Sequence, residues 1–308
     1  MVVDIPFNYY YERTTITMKK KKLAITIMML LLLSLTGCGG GSGSETTEEA
    51  ETEATSEKVT VNVFAAASLT SVMEEFEKNY EAANENIDIV CNFDSSGALL
   101  TQIQEGAPCD IFFSAAQKQM DELESASMVV EGTRKNVVNN QLVLITQPDS
   151  ETAVTDLTSI GKAKSIALAD GSVPVGKYTR QALIKIGLLA EAEDPASITT
   201  QEVSEQLGGV EISEQGNVSK VLSAVEEGSC EVGTTYVSDT VGHEDKVKII
   251  GEPVPYDVTG DIIYPVAQIA NKDTDELQSK AAADFIAFIT NDEAKALYQK
   301  FGFDTNVE

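Results

Sequence analysis

Two serines, Ser68 and Ser96, fall where a β-rich run hands over to a helical one. A hydroxyl at such a junction has three uses. It can cap the helix by accepting from a backbone N–H. It can donate to a ligand at the helix start, where unpaired N–H groups and a partial positive charge favour anions. It can attack a carbonyl if a base removes its proton. The third use needs machinery that the sequence does not offer. No Gly-x-Ser-x-Gly elbow surrounds Ser68, whose flanks two residues away are Ala66 and Thr70. The one histidine, His243, lies in a polar Gly-His-Glu-Asp stretch and reads as a solvated surface residue. The chain is therefore not expected to be an enzyme.

Metal and redox chemistry are equally poorly served. One histidine cannot build a multi-histidine site, and the cysteines include no Cys-x-x-Cys pair. No cofactor and no direct cation ligand is expected. Beyond Cys38, the cysteines are Cys91, Cys109 and Cys230, an odd number. Cys91 and Cys109 could pair if their strands are neighbours; buried free thiols are the favoured reading. The net charge of −27 argues against nucleic acid as a partner, since the field repels a phosphate backbone. It should also repel a free anion. A bound anion must then be held by local dipoles in a closed site.

The N-terminus carries an address. Met18 is followed by four lysines and an apolar run, Leu23–Leu35. A run of thirteen residues falls short of the roughly 20 that span a bilayer, so it reads as a signal peptide. Met18 suits a start codon, with residues 1–17 as an extension. Leu35-Thr36-Gly37-Cys38 resembles a bacterial lipobox, which makes Cys38 the expected lipidation site. Gly39–Lys58 holds only Gly, Ser, Thr, Ala and Glu with one lysine. Such a stretch cannot bury apolar surface and should be a disordered tether with a reach of about 25 Å. Removal of residues 1–37 takes away five basic and two acidic residues, leaving a charge of −30.

The body reads as alternating elements, with enough length for two ordinary domains and 43% apolar residues to fill them. Val59–Ala65 is a β-rich run, followed by a helical spacing at Leu69, Val72, Met73, Phe76 and Tyr80. Ile87–Phe93 alternates as a strand, and Leu99, Leu100 and Ile103 follow Ser96 as a helix. Asp110–Ser114 and Gln117–Leu123 make a further strand and helix. The pattern resumes with strand Ser165–Ala169, helices Tyr178–Ile186 and Val218–Glu226, and strand Glu231–Tyr236. A helical segment through Ala281–Tyr298 closes the chain. Two long β runs, Val137–Thr146 and Ile262–Ala270, read as crossings between lobes. The expected fold is α/β, with two lobes of mixed, mostly parallel sheet flanked by helices. Residues 59–140 and 263–308 are assigned to lobe I and residues 141–262 to lobe II.

Seven stretches taken together resemble the periplasmic molybdate-binding protein family, over about Val59 to Phe303. They are Val63-Phe64-Ala65-Ala66-Ala67-Ser68-Leu69-Thr70, Phe93-Asp94-Ser95-Ser96-Gly97, Gly106-Ala107-Pro108-Cys109-Asp110-Ile111-Phe112, Val173-Pro174-Val175-Gly176-Lys177-Tyr178, Gly233-Thr234-Thr235-Tyr236, Tyr264-Pro265-Val266-Ala267 and Phe301-Gly302-Phe303. The resemblance implies a type II periplasmic-binding-protein fold with two hinge crossings. It also implies an oxyanion, molybdate or tungstate, held between the lobes without a charged ligand. Carried over by position, Ser68 and Ser96 bind through hydroxyl and N–H, Val175 and Val218 through N–H alone, and Tyr236 through its phenol. The family often has Asp after Ser-Ala in the third strand-to-helix turn, whereas Ala116 follows Ser114-Ala115 in this chain. The implied role is a monomeric, lipid-anchored capture protein on the outer face of the cytoplasmic membrane, serving an ABC permease and its ATPase. Sulfate or phosphate as ligand, or a surface sensor without transport, are the competing readings.

Overall fold

The computed structural model describes residues 58–307. The signal-peptide, lipidation and tether expectations lie outside the described residues, Lys58 excepted. Among the described residues no helix is long and apolar enough to cross a membrane.

Along the chain come β1 (Val59–Ala66), α1 (Thr70–Ala83), β2 (Ile87–Asp94), α2 (Ser96–Gln104), β3 (Ile111–Phe113), α3 (Gln117–Ser125) and β4 (Lys135–Val138). Then follow β5 (Leu142–Thr146), β6 (Ser165–Ala169), α4 (Pro174–Lys185), α5 (Thr200–Gln206), β7 (Glu211–Gln215), α6 (Val218–Glu226), β8 (Val232–Tyr236) and β9 (Lys248–Ile250). The chain ends with β10 (Tyr264–Gln268), α7 (Glu276–Ile289) and α8 (Ala294–Lys300). Two five-stranded sheets result, ordered β2-β1-β3-β10-β4 and β7-β6-β8-β5-β9. In each, three strands run parallel: β1 pairs with β2 and β3, and β6 with β7 and β8. The other pairings are antiparallel, through β10 in the first sheet and β5 in the second.

The apolar spacing explains the layers. Val61, Val63 and Ala65 are buried on one face of β1 and Phe64 and Ala66 on the other, as a central parallel strand covered on both faces requires. Helix α1 buries Val72, Met73, Phe76 and Tyr80, one face at helical spacing. That face meets the C-terminal helices through aromatic edges. Phe76 lies 5.0 Å from Tyr298, and Tyr80 lies 5.0 Å from Phe285, centroid to centroid.

The sequence reading departs from the structure at identifiable points. Val137–Thr146 is two strands in different sheets, because Asn139 breaks the run. Its Oδ1 accepts from the N–H groups of Asn140 and Ile262, both at 2.8 Å, and its backbone pairs with Asp304. The terminal helical segment divides at Asn291, whose Oδ1 accepts from Ala294 N–H and opens α8. Helix α4 starts at Pro174, four residues before Tyr178. Strand β7 was not expected, since Glu211-Ile212-Ser213-Glu214-Gln215 is a mostly polar, solvent-facing edge. Cys91 and Cys109 lie on opposite sides of β1 and are free thiols, as is Cys230. Burial pushes the Cys91 and Cys109 thiols far above their ordinary range, which disfavours the thiolate form.

Glycine 233 sets how closely α6 lies on β8. A Cβ added there would stand 2.9 Å from Val221 Cγ1 and from Val225 Cγ2, and valines are stiff at χ1. Gly233→Ala should therefore destabilise the fold by about 1–3 kcal/mol, the usual cost of overpacking. A urea unfolding midpoint equal to that of the parent chain would contradict this packing argument.

Candidate functional site

The carboxyl ends of β1 and β2 in one lobe face the starts of α4 and α6 in the other. Between them is a cavity lined by Ala66, Ala67, Ser68, Ser95, Ser96, Ala115, Val173, Pro174, Val175, Val218 and Tyr236. All five residues singled out in the sequence line this one cavity. No lining residue carries a formal charge. The cavity volume is about 10 Å³, far below the roughly 300–1,000 Å³ of ordinary small-molecule pockets. It suits a ligand of few atoms.

Each lining junction is built so that donors are left over. Ser68 sits inside a short 3₁₀ turn, Ala67–Leu69, and does not cap α1. Its Oγ lies 2.9 Å from the Tyr264 hydroxyl. Ser96 does not cap either. Ser95 is the N-cap of α2, with its Oγ accepting from Ala98 N–H. The Ser96 Oγ instead accepts from Ala115 N–H at 2.9 Å, so its own proton remains to be donated. Capping, the ordinary use of a serine at a helix start, is thus excluded for both predicted residues. The sequence reading did not single out Ser95, whose capping role was legible only once Ser96 was placed.

In the second lobe the donors are backbone groups. Pro174 occupies the first turn of α4 and has no N–H, so the first N–H the helix presents is that of Val175. Gly176 lets this turn approach the end of β6: a Cβ there would come within 2.1 Å of Asp170 O and 2.5 Å of Ala169 O. Val218 begins α6, which Asn217 caps by accepting from Lys220 N–H at 3.0 Å. Both N–H groups belong to first helical turns and have no acceptor within their helices.

The phenol of Tyr236 completes the set. It is fully buried at the end of β8, and its hydroxyl has no hydrogen-bond partner among the described residues. An unpaired buried hydroxyl is costly and points to a ligand that would satisfy it. Burial, followed by the neighbouring Tyr264, pushes its pKa well above the ordinary phenol value, so it stays protonated as a donor.

The lobes are closed on one another. Asn217 Nδ2 donates to Asp94 Oδ1 across the cleft at 3.1 Å, and Lys118 pairs with Asp194 at 3.2 Å. A Cβ at Gly97 would lie 3.0 Å from Ser172 O of the opposite lobe. The sequence candidates for other chemistry are elsewhere. His243 is a half-exposed partner of Glu226, and neither lines the cavity. No group of three or more His, Cys, Asp or Glu that could hold a metal ion occurs among the described residues.

Comparison with known proteins agrees with this architecture. The family model for bacterial extracellular solute-binding proteins matches residues 61–304. YvgL of Bacillus subtilis, whose assignment as an ABC transporter substrate-binding lipoprotein is provisional, is 32% identical over 250 residues. That alignment covers 81% of this chain and 88% of YvgL. The molybdate-binding protein ModA of Haemophilus influenzae is 31% identical over 256 residues, covering 81% of this chain and 91% of its own. The solved periplasmic molybdate-binding protein of Azotobacter vinelandii superposes with a TM-score of 0.64 at 22% identity, over 79% of this chain and 98% of that one. At that identity it speaks for the fold: two mixed sheets flanked by helices, the type II periplasmic-binding-protein arrangement.

A titrating group lies directly behind the phenol. The Asp239 carboxylate accepts from Tyr236 N–H at 2.9 Å and from Thr235 Oγ1 at 2.6 Å. Burial outweighs these bonds and raises its pKa from the ordinary carboxylate value, about 4, to about 6. Between those values the folded chain holds a proton that the unfolded chain has released. The contribution of Asp239 to stability must then fall as pH rises through this window, by about 2–3 kcal/mol. Asp239→Asn should abolish that fall. Urea titrations of both chains between pH 4 and 7 test it: parallel profiles would show that Asp239 is not the group responsible.

Proposed function

Because this chain belongs to the bacterial extracellular solute-binding protein family, we propose that it captures molybdate for an ABC importer, closing its two lobes around the anion. Family membership places the protein outside the cytoplasm, and the relatives it matches are binding proteins. The observation that carries the ligand reading is the cavity itself. Ser68, Ser96, Val175, Val218 and Tyr236 line one space that has no charged lining residue, and in this reading their hydroxyls and first-turn N–H groups are the donors.

Such a cage suits a dianion for physical reasons. Hydrogen bonds to a charged group are roughly twice as strong as neutral ones. No counter-ion has to be stripped of water to enter the site. A fixed set of donors also selects size, because a smaller tetrahedral anion leaves some of them out of reach and unpaired. Tungstate, nearly equal to molybdate in size and charge, is taken in the same way. The names of the relatives support molybdate over sulfate or phosphate.

The closing latches give the capture step a mechanism. Asp94–Asn217 and Lys118–Asp194 join the lobes at the cleft mouth, while Asn139 ties the crossing strands together. Opening would break the first pair of contacts and flex the segments around the second. The permease and its ATPase would read the closed form.

Calorimetry with molybdate, with sulfate and phosphate as competitors, tests the assignment. Ser68→Ala, Ser96→Ala and Tyr236→Phe should each weaken binding by about 10- to 150-fold, the worth of one hydrogen bond to a charged group. Val175→Ala and Val218→Ala should be nearly silent, since only their backbone N–H groups take part. Large losses at the valines with none at the hydroxyls would falsify the residue roles.

The membrane attachment in this reading rests on Cys38, in the lipobox-like Leu35-Thr36-Gly37-Cys38. The tether after it has no apolar face with which to hold a bilayer. Cys38→Ser should therefore yield a folded protein in the soluble fraction of cells. Retention on membranes after a salt wash would rule out a lipid on this residue as the anchor.

A further inference from the structure

The donors around the cavity differ in how they are held. The N–H groups of Val175 and Val218 are fixed by their helices. The Ser68 and Ser96 hydroxyls each meet a partner at 2.9 Å, Tyr264 Oη and Ala115 N–H. The Tyr236 hydroxyl has no hydrogen-bond partner among the described residues. Packing of its ring, and of the backbone just beyond it, is what places it.

That packing comes from Phe301-Gly302-Phe303, the segment after α8, which the sequence singles out and the cavity does not use. The Tyr236 ring meets the Tyr264 ring edge-on, with centroids 6.2 Å apart. Tyr264 in turn meets Phe303 edge-on at 5.6 Å, and Phe303 meets Tyr298 of α8 at 6.0 Å. All four rings are buried, and edge-to-face pairs fix orientation as well as contact. Gly302 makes a second approach, to the single turn Val237–Thr240 that directly follows Tyr236. A Cβ on Gly302 would stand 3.1 Å from Val241 Cγ2, 3.3 Å from Val237 Cγ1 and 3.4 Å from Ser238 Cα. Its φ is +78°, the left-handed conformation that glycine adopts just past a helix end. The chain thus leaves α8 in a turn that lays its backbone on Val237 and sets Phe303 against Tyr264. Asp304 holds the other side: its N–H and carbonyl pair with Asn139, and its carboxylate accepts from the Tyr256 hydroxyl at 3.4 Å.

We propose that Gly302 and Phe303 are positioning residues for the ligand-binding phenol, a seat that holds Tyr236 in place before any hydrogen bond does. This deepens the oxyanion-binding reading and rests on it. The phenol ends β8 of the second sheet, whereas the seat extends from α8, whose Tyr298 packs on Phe113 of the first. A side chain that the ligand itself must order weakens binding, and one already in place does not.

A double-mutant cycle read by calorimetry with molybdate tests the proposal. In the parent chain Gly302→Ala presses on Val237 and should weaken binding by about 3- to 10-fold, the usual cost of ordering one side chain on binding. In a Tyr236→Phe background, which keeps the ring and lacks the hydroxyl, the same change should cost less than about 2-fold. Phe303→Leu should also lose more in the parent chain than in that background. Val237→Ala loosens the same contact without straining the backbone, and it replaces Gly302→Ala in the cycle if that variant does not fold. Thermal unfolding of the ligand-free variants verifies that each is folded. Phe285→Leu, in the core against Tyr80, should lower the unfolding midpoint and leave the affinity unchanged, which separates lost stability from lost position. Equal losses with and without the Tyr236 hydroxyl, folded seat variants that bind molybdate like the parent, or an equal affinity loss in Phe285→Leu would overturn the seat while leaving the site intact. A silent Tyr236→Phe would instead overturn the site reading, and the seat with it.

Discussion

A buried surplus of hydrogen-bond donors is the constraint on which the rest of the structure turns. Helix starts always present N–H groups without partners in the helix. Most proteins satisfy them with a cap or with water. In this chain the capping side chains of α2 and α6 each satisfy the third N–H of the turn and leave the first ones uncapped. Ser95 serves Ala98 and Asn217 serves Lys220. The Tyr236 hydroxyl joins them, fully buried and unpaired among the described residues. Two lobes closed on such a set need an acceptor between them, and a small oxyanion is one.

The global charge makes this local arrangement necessary. A chain of net charge −27 repels free anions at long range, so attraction has to come from dipoles that act only at contact. One buried cation lies nearby. Arg180 of α4 is fully buried and donates to Ala169 O, Gly176 O and Ile198 O at 2.7–2.9 Å. Its guanidinium pins the start of α4 to the end of β6, the close approach that Gly176 permits. It serves the cavity by holding Val175 in place and is not among the lining residues.

The hinge follows from one asparagine. Asn139 gathers the outgoing crossing, the returning crossing at Asp261 and Ile262, and the terminal segment at Asp304. These bonds tie the two crossings and the terminal segment together at a buried point between the two sheets. Asn140, the next residue, reaches instead toward Tyr264 and Ser238 and so toward the cleft. Adjacent side chains thus divide the work of joining the lobes and of setting the hydroxyls between them.

By itself the sequence determined most of the elements and their order. The apolar spacing of α1 and α6 and the β character of β1, β2, β6 and β8 were legible, because burial of one face imposes a period that local composition records. Ser68 and Ser96 were legible as junction residues, and the absence of a base for them was plain from the single histidine. Edge strand β7 was not, since a polar, half-solvated strand carries no such period. Nor was the break at Asn139, which depends on bonds to Ile262 and Asp304, more than a hundred residues away. Val175 and Val218 entered only through family resemblance, because a backbone N–H is common to every residue except proline and leaves no trace in residue type. Tertiary structure alone decided that Ser95 and not Ser96 is the cap, that Tyr236 is left unpaired among the described residues, and that Ser68 and Asn140 both bond the Tyr264 hydroxyl. Each of these is a matter of which donor meets which acceptor across the fold, and side-chain chemistry lists the possibilities without choosing among them.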